Sequence, residues 1–392
     1  MKTVLVPLGP AGTLAPPERQ RLKWVSRTTV TCFAIFLLLA CVAAPAQAQP
    51  VAGLAPADRS LAQAQPWRVA AQDMHSRRWE SILVITNPLS GQVEQRRAQI
   101  AELSSGMNYR DEQGQWQPTR EEFQIQPDGS AVAAAGPHKV TIARNLNADT
   151  AVDMTTSDGV RLRSGPLAVG YYDPVDGANV ILATIRDCSG RLAAPNVIIF
   201  DNAFDGIKAS IRITYRKAGI SQDLLLHEAP PPPEKFGLSE RSRLELYTEF
   251  RPETPTPRQT VVMLRAESDP QVRQAMVEPD LTDRLIDFGA YKMGTGLAFE
   301  GEGKAGTQKL PVMKRYETID GRPVLIEAVE YQSAKDLLSM LPPGPAAPRQ
   351  ARAQVRRSPM GAQRPLLARA LRSKPAPVGD VKPIQEARLR KV

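Results

Sequence analysis

The sequence predicts an all-β protein: an antiparallel β-sandwich or stacked hairpin sheets in one or two subdomains, with one short C-terminal helix and disordered ends. Three observations predict it. Short stretches of alternating apolar and polar residues recur along the body, the period of a half-buried strand. Turn dipeptides, Asp-Gly above all, separate them at intervals of about 8–12 residues. The composition is that of a globular chain, with 42% hydrophobic and 23% charged residues, which excludes wholesale disorder and a polytopic membrane protein. At 392 residues the chain has room for several layers of structure.

From the N-terminus, residues 30–44 (VTCFAIFLLLACVAA) are apolar and uncharged, and Arg19, Arg21, Lys23 and Arg27 precede them. The small-x-small triplet Ala46-Gln47-Ala48 follows. A basic lead, a short apolar core and a small-residue site read as a secretory signal peptide over 1–48, cleaved after Ala48. About 20 apolar residues are needed to span a bilayer, and this run is shorter. Leu38-Leu39-Ala40-Cys41 offers a second reading, lipidation at Cys41. The chain is therefore expected to be exported, to the periplasm, cell surface or exterior. Of three cysteines only Cys188 survives cleavage, so no disulfide framework supports the fold.

Residues 49–78, rich in Ala and Gln without a period, read as a linker. A β-rich domain follows over 79–228. Ile82-Leu83-Val84-Ile85 ends at Asn87-Pro88. Residues 95–103 leave strand and helical turn both open. Met107-Asn108-Tyr109, the turn Asp111-Glu112-Gln113-Gly114 and Trp116 form a hairpin with two flanking aromatics. Phe123 and Ile125, Val140 and Ile142, residues 160–163, 180–185 and 197–200 are further strands. Ile207, Ala209, Ile211, Ile213 and Tyr215 alternate with Lys208, Ser210, Arg212 and Thr214 after the turn Asp205-Gly206.

The run Ala229-Pro230-Pro231-Pro232-Pro233 cannot lie in a central strand, because proline donates nothing to the ladder. It is either a polyproline recognition segment or a rigid crossover, and the crossover, 229–258, is the reading adopted. It contains one strictly alternating strand, with Leu244, Leu246, Thr248 and Phe250 on one face and Arg243, Glu245, Tyr247 and Glu249 on the other. A second β-rich subdomain spans 259–342, turns at Asp320-Gly321 and ends in a helix over 334–341 with Ser333 as its N-cap. The tail, 343–392, is basic and predicted disordered. The two ends carry +4 and +10 of the formal net charge of +9, which leaves −5 for residues 49–342. A mildly acidic body speaks against specific nucleic-acid binding; the tail suits contact with an anionic surface.

Chemistry-bearing motifs are few. His75, His138 and His227 belong to no metal-binding spacing, no CxxC is present, and no GxSxG or phosphate-loop pattern occurs. Asp201 and Asp205 around Asn202 resemble a calcium loop only loosely. Catalytic, cofactor-binding and metal residues are therefore all predicted as none, with no cofactor. Cys188 reads as a buried or semi-buried inert cysteine; the alternative, a secreted hydrolase of polysaccharide or peptide, would need it paired with His138 or a cleft with convergent carboxylates. The favoured reading is a non-enzymatic surface-assembly or binding module. Its partner would be an envelope or surface protein or a glycan; Tyr109, Trp116, Tyr171 and Tyr172 are aromatics able to stack on a ligand, with core packing the favoured reading for them.

Residues 103–116 (LSSGMNYRDEQGQW), followed by Phe123-Gln124-Ile125 and Gly129, resemble a pattern in the N-terminal region of uncharacterised large exported bacterial proteins. Asp158-Gly159 with Leu162, Asp205-Gly206-Ile207 with Tyr215, Gly219 with Gln222-Asp223, and Leu285-Ile286-Asp287-Phe288-Gly289 extend the likeness over about 80–340. Some of those proteins continue into RHS/YD-repeat or other β-rich surface modules. The resemblance implies a β-rich exported region and assigns no catalytic residue.

Overall fold

A computed structural model describes residues 4–7, 61–87, 89–301, 307–344, 367 and 381–386, and they are mostly strand. Nine strands follow one another, hydrogen-bonded and antiparallel: Gln124–Ile125, Ala131–Ala133, Lys139–Ile142, Val152–Thr155, Arg161–Tyr172, Arg243–Phe250, Arg322–Glu330, Lys309–Ile319 and Gly296–Glu300. Arg161–Tyr172 is long enough to carry two neighbours end to end on one edge. Residues 161–164 pair with Val152–Thr155, and 168–172 pair with Asn179–Ile185. A second group runs Gly190–Ala194, Val197–Phe200, Ala209–Arg216 and Gly219–Leu226. Ile211, Ile213, Tyr215 and Leu224 from this group share one buried cluster with Val169, Tyr171, Leu246 and Leu325 from the first. That interior of interdigitating aliphatic and aromatic side chains is the sandwich core.

Alternation builds these strands as predicted. Ala209, Ile211, Ile213 and Tyr215 are fully buried, and their polar alternates lie on the other face. The strand Arg243–Phe250 departs from the pattern, since Arg243, Glu245 and Tyr247 are buried as well. It sits between Arg161–Tyr172 and Arg322–Glu330, and its second face is covered. Tyr247 joins Leu167, Val324 and Ile326 in a separate apolar cluster. The strands on either side of the proline run thus share one sheet, and 79–228 and 259–342 do not form separate layers. Within the crossover, Pro233–Phe236 makes one 3-10 turn, and Ala229 bonds with Pro342 and Gly344.

A three-stranded sheet, Arg258–Arg265, Leu281–Asp287 and Lys292–Met293, contains the helix Pro270–Ala275 in its first connection. Leu281 packs on Met313 and Ala328. Glu278, just before this strand, accepts from Tyr172 Oη at 2.9 Å, from Arg243 Nη1 at 2.6 Å, and from Arg315 Nη1 at 2.7 and 2.8 Å. The final helix is Tyr331–Ser339. Ser333 lies inside its first turn and is not the N-cap, a correction to the sequence reading. Tyr331 N–H is already held by Ser242 O, so helical geometry begins directly at the end of the strand.

Leu61–Ala64, Arg68–Gln72, Ser76–Thr86 and Val93–Leu103 form a four-stranded sheet of their own. Residues 49–78 are therefore not all linker. Arg68–Gln72 is almost wholly exposed, so no apolar period betrays it. Of the predicted signal peptide, only the backbone of Val4–Pro7 is described, antiparallel to Gly219–Leu226 and Gly296–Glu300. Cleavage after Ala48 and lipidation at Cys41 fall outside the described residues. So does most of the basic tail, where Gln385–Glu386 pairs in parallel with Gly190–Ala194. Among the described residues no helix is long and apolar enough to cross a membrane.

A half-buried carboxyl, Glu278, and a buried one, Glu327, face opposite electrostatics. Burial alone would raise Glu278, but the Arg315 and Arg243 guanidiniums outweigh it and hold the carboxyl at about 2. Glu327 is pushed well above the usual carboxylate range by burial; Lys314 opposite it opposes the shift, and Asp223 and Asp283 reinforce it. Lys314 Nζ is already claimed by both oxygens of Asp283 at 3.2 Å, and neither Glu327 oxygen has a hydrogen-bond partner. A depressed folded value stabilises above the unfolded pKa. The Glu278 contribution, at most about 3 kcal/mol, is therefore lost as pH falls from 4.5 toward 2. Glu278→Gln should flatten the urea stability profile across that window; a profile as steep as the parent's removes the assignment. A raised folded value acts in reverse, so the Glu327 contribution is lost as pH rises. Glu327→Gln is expected to gain about 1–3 kcal/mol at pH 8.5 and less at pH 5, measured by urea midpoints. An equal effect at both pH values contradicts this.

Candidate binding groove

The predicted aromatic hairpin forms at Asn108–Arg110 and Trp116–Pro118, with Tyr109 opposite Gln117 and Arg110 opposite Trp116. Asp111 closes its turn. Its Oδ1 accepts from Gln113 N at 3.1 Å and Gln115 N at 2.8 Å, and its Oδ2 from Gln117 Nε2 at 2.9 Å. The Gln117 bond, then the backbone bonds, hold the Asp111 carboxyl below its usual value. Gly114 takes φ +75°, which a side chain there would resist. Asn108, fully buried, anchors the hairpin by donating to Asp73 O at 2.7 Å and Ser76 O at 3.2 Å and accepting from Arg77 at 2.7 Å.

Beside this hairpin lies a groove of about 800 Å³. The charges on its walls balance: Arg110, Arg120 and Lys139 against Asp111, Glu112 and Glu122. Gln117 and Gln124 add amide donors and acceptors, and Tyr109 adds a ring. Arg110 stacks over Trp116 at 4.5 Å, and Lys139 Nζ lies 4.3 Å from the Tyr109 ring centre while donating to Ala134 O. Cation–π contacts of this kind pin both rings in place.

The other predicted residues scatter. Tyr171 and Tyr172 are wholly buried; Tyr171 packs edge-on to Tyr331, and Tyr172 donates to Glu278. Neither reaches a ligand. Cys188 lies by Asn145 and Leu146, and burial pushes its thiol up to about 12. His138 lies elsewhere, edge-on to Tyr291 at 6.0 Å, and burial lowers its pKa. A thiol so raised is not the thiolate that nucleophilic catalysis requires. Asp201 pairs with Arg191 at 2.7 Å and Asp205 with Arg186 at 3.9 Å. Among the described residues no group of three His, Cys, Asp or Glu is placed to hold a metal ion.

One pair escaped sequence reasoning. Ser210 Oγ lies 2.7 Å from His227 Nε2, brought together by adjacent strands. Ser210 is 1% exposed, and no carboxylate bonds His227 Nδ1. The pair thus lacks both the access and the orienting acid of a hydrolytic triad.

No family model, curated protein or solved structure matches this chain.

The raised thiol sets an expectation. At pH 8, native protein should react with iodoacetamide at Cys188 at least about tenfold more slowly than urea-unfolded protein. Equal rates would show the thiol free and acidic.

Proposed function

We propose that the chain is an exported, non-enzymatic β-rich module that binds an extended polar ligand at the bacterial surface, and that this ligand is a glycan. The observation that carries this reading is the groove beside the Tyr109–Trp116 hairpin. Its walls balance positive and negative side chains, which disfavours a highly charged polymer. Its wall carries both donors and acceptors, which matches the hydroxyl-rich surface of a sugar chain. Aromatic rings held rigidly by cations offer apolar faces at little entropic cost. Export rests on the apolar segment before Ala48, and the basic tail supports a second contact with an anionic surface.

The test is a glycan array and an envelope polysaccharide pull-down with the purified chain. Binding should weaken about tenfold or more in the double variant Tyr109→Ala, Trp116→Ala, which removes the ring that lines the groove and the ring on which the groove residue Arg110 stacks. Cys188→Ala should bind as the parent does. Absence of any bound glycan, or equal binding by the double variant, rejects the reading.

A further inference from the structure

A second recess, about 200 Å³, lies where six segments distant in sequence meet. Its wall includes His75, Ser105, His138, Ser157, Lys217 and Lys292, and among the described residues no carboxylate lines it. The closure is tight. Gly106 takes φ +63°, and a Cβ there would fall 2.0 Å from Lys217 O, so only glycine allows the two backbones to meet.

The hydrogen-bond polarity of the wall is one-sided. Gly106 N–H donates to His75 Nδ1 at 3.1 Å. That nitrogen is therefore the acceptor, and the ring's proton sits on Nε2, a donor. His138 is 5% exposed, and its Nδ1 is buried without a partner. Ser105 and Ser157 hold hydroxyls, and the lysines hold ammonium groups. The nearby acids are already engaged. Asp73 caps His75 N and Ser76 N, both at 2.7 Å. Asp158 accepts from Ala290 N at 2.9 Å and from Thr156 Oγ1. Asp287 accepts from Gly289 N at 2.8 Å and pairs with Lys292 at 3.3 Å and Arg258 at 3.1 Å.

We propose that this recess binds a phosphate group, inorganic or carried as an ester, with Lys217 and Lys292 supplying charge and His75, Ser105 and Ser157 supplying donors. A tetrahedral oxyanion offers several acceptors in different directions, and donors converging from five segments match that better than they match a planar carboxylate. The balanced walls of the groove give no such preference. This site is independent of the glycan reading.

The experiment titrates the full chain with inorganic phosphate at low ionic strength, by calorimetry and by histidine-selective NMR. Glucose 6-phosphate and phosphatidylcholine vesicles with and without phosphatidylglycerol form parallel arms, with chloride as control. Phosphate should shift the His75 and His138 resonances saturably. Lys217→Ala should weaken binding about tenfold, the worth of one charge-assisted contact, and Lys217→Arg should restore most of it. Saturation by the soluble phosphates alone assigns a free phosphate or sugar phosphate. Vesicle binding that needs phosphatidylglycerol and Lys217 assigns a lipid headgroup. The Tyr109→Ala, Trp116→Ala variant should bind phosphate as the parent does, which separates failure here from failure of the groove. Histidine signals unmoved by phosphate, or an unchanged dissociation constant in both Lys217→Ala and Lys292→Ala, overturns the proposal.

Discussion

The ladder between Arg161–Tyr172 and Arg243–Phe250 is the constraint on which the body depends. It runs from Ser164 opposite Phe250 to Tyr172 opposite Arg243, with one register shift near Pro166. Proline cannot donate, and the shift absorbs that gap at the point where the ladder would otherwise break. Gly170 shows how close the neighbours come: a Cβ there would lie 2.5 Å from Val180 O. Val152–Thr155 and Asn179–Ile185 bond to the free edge of the first strand, and Arg322–Glu330 bonds to the free edge of the second. A change that widened the ladder would therefore loosen the packing of Val169, Tyr171 and Leu246 together.

Burial on both faces of this ladder makes charged side chains obligatory participants rather than ornaments. Arg243 and Glu245 stand on the face away from the sandwich core, and the three-stranded sheet shuts them off from water. Desolvated charges are tolerable only when paired and hydrogen-bonded. Glu278 supplies that pairing to Arg243 and Arg315 at once, and Tyr172 adds a neutral donor. Glu327 shows the converse. Its cross-strand neighbour Lys314 is engaged by Asp283, so among the described residues its carboxyl has no hydrogen-bond partner, and burial raises its pKa.

Much of the β architecture was legible because period-two alternation and Asp-Gly turns are local signals. The strand at 209–216 and the hairpin around Gly114 follow from them. Signals that depend on partners were not legible. Alternation in Arg243–Phe250 implies one wet face, and only the sheet packed over it removes the water. Arg68–Gln72 has no buried face, so nothing in its composition separates it from a linker. The helix Pro270–Ala275 does leave a trace in the sequence: Asp269 caps Gln271 N and Val272 N, and Pro270 follows it, but six residues are too few to show an apolar period. The role of Tyr171 and Tyr172 was open in sequence, since an aromatic in a strand serves core and binding face equally well until its neighbours are known.

The two recesses share a wall, and the strand period explains how. His138 and Lys139 are consecutive, at the entry to Lys139–Ile142, and neighbouring residues on an extended chain point to opposite sides. His138 closes the phosphate-sized recess against Tyr291, and Lys139 crosses the groove to Tyr109. Ser105 and Gly106 line the first, and Tyr109 and Arg110, a few residues on, line the second. Tyr215 Oη donates to His138 O at 3.0 Å, which ties the shared wall to the core. A polar surface feature tied to a core tyrosine and a buried asparagine is held by its own hydrogen bonds, so its shape follows from the packing of the body.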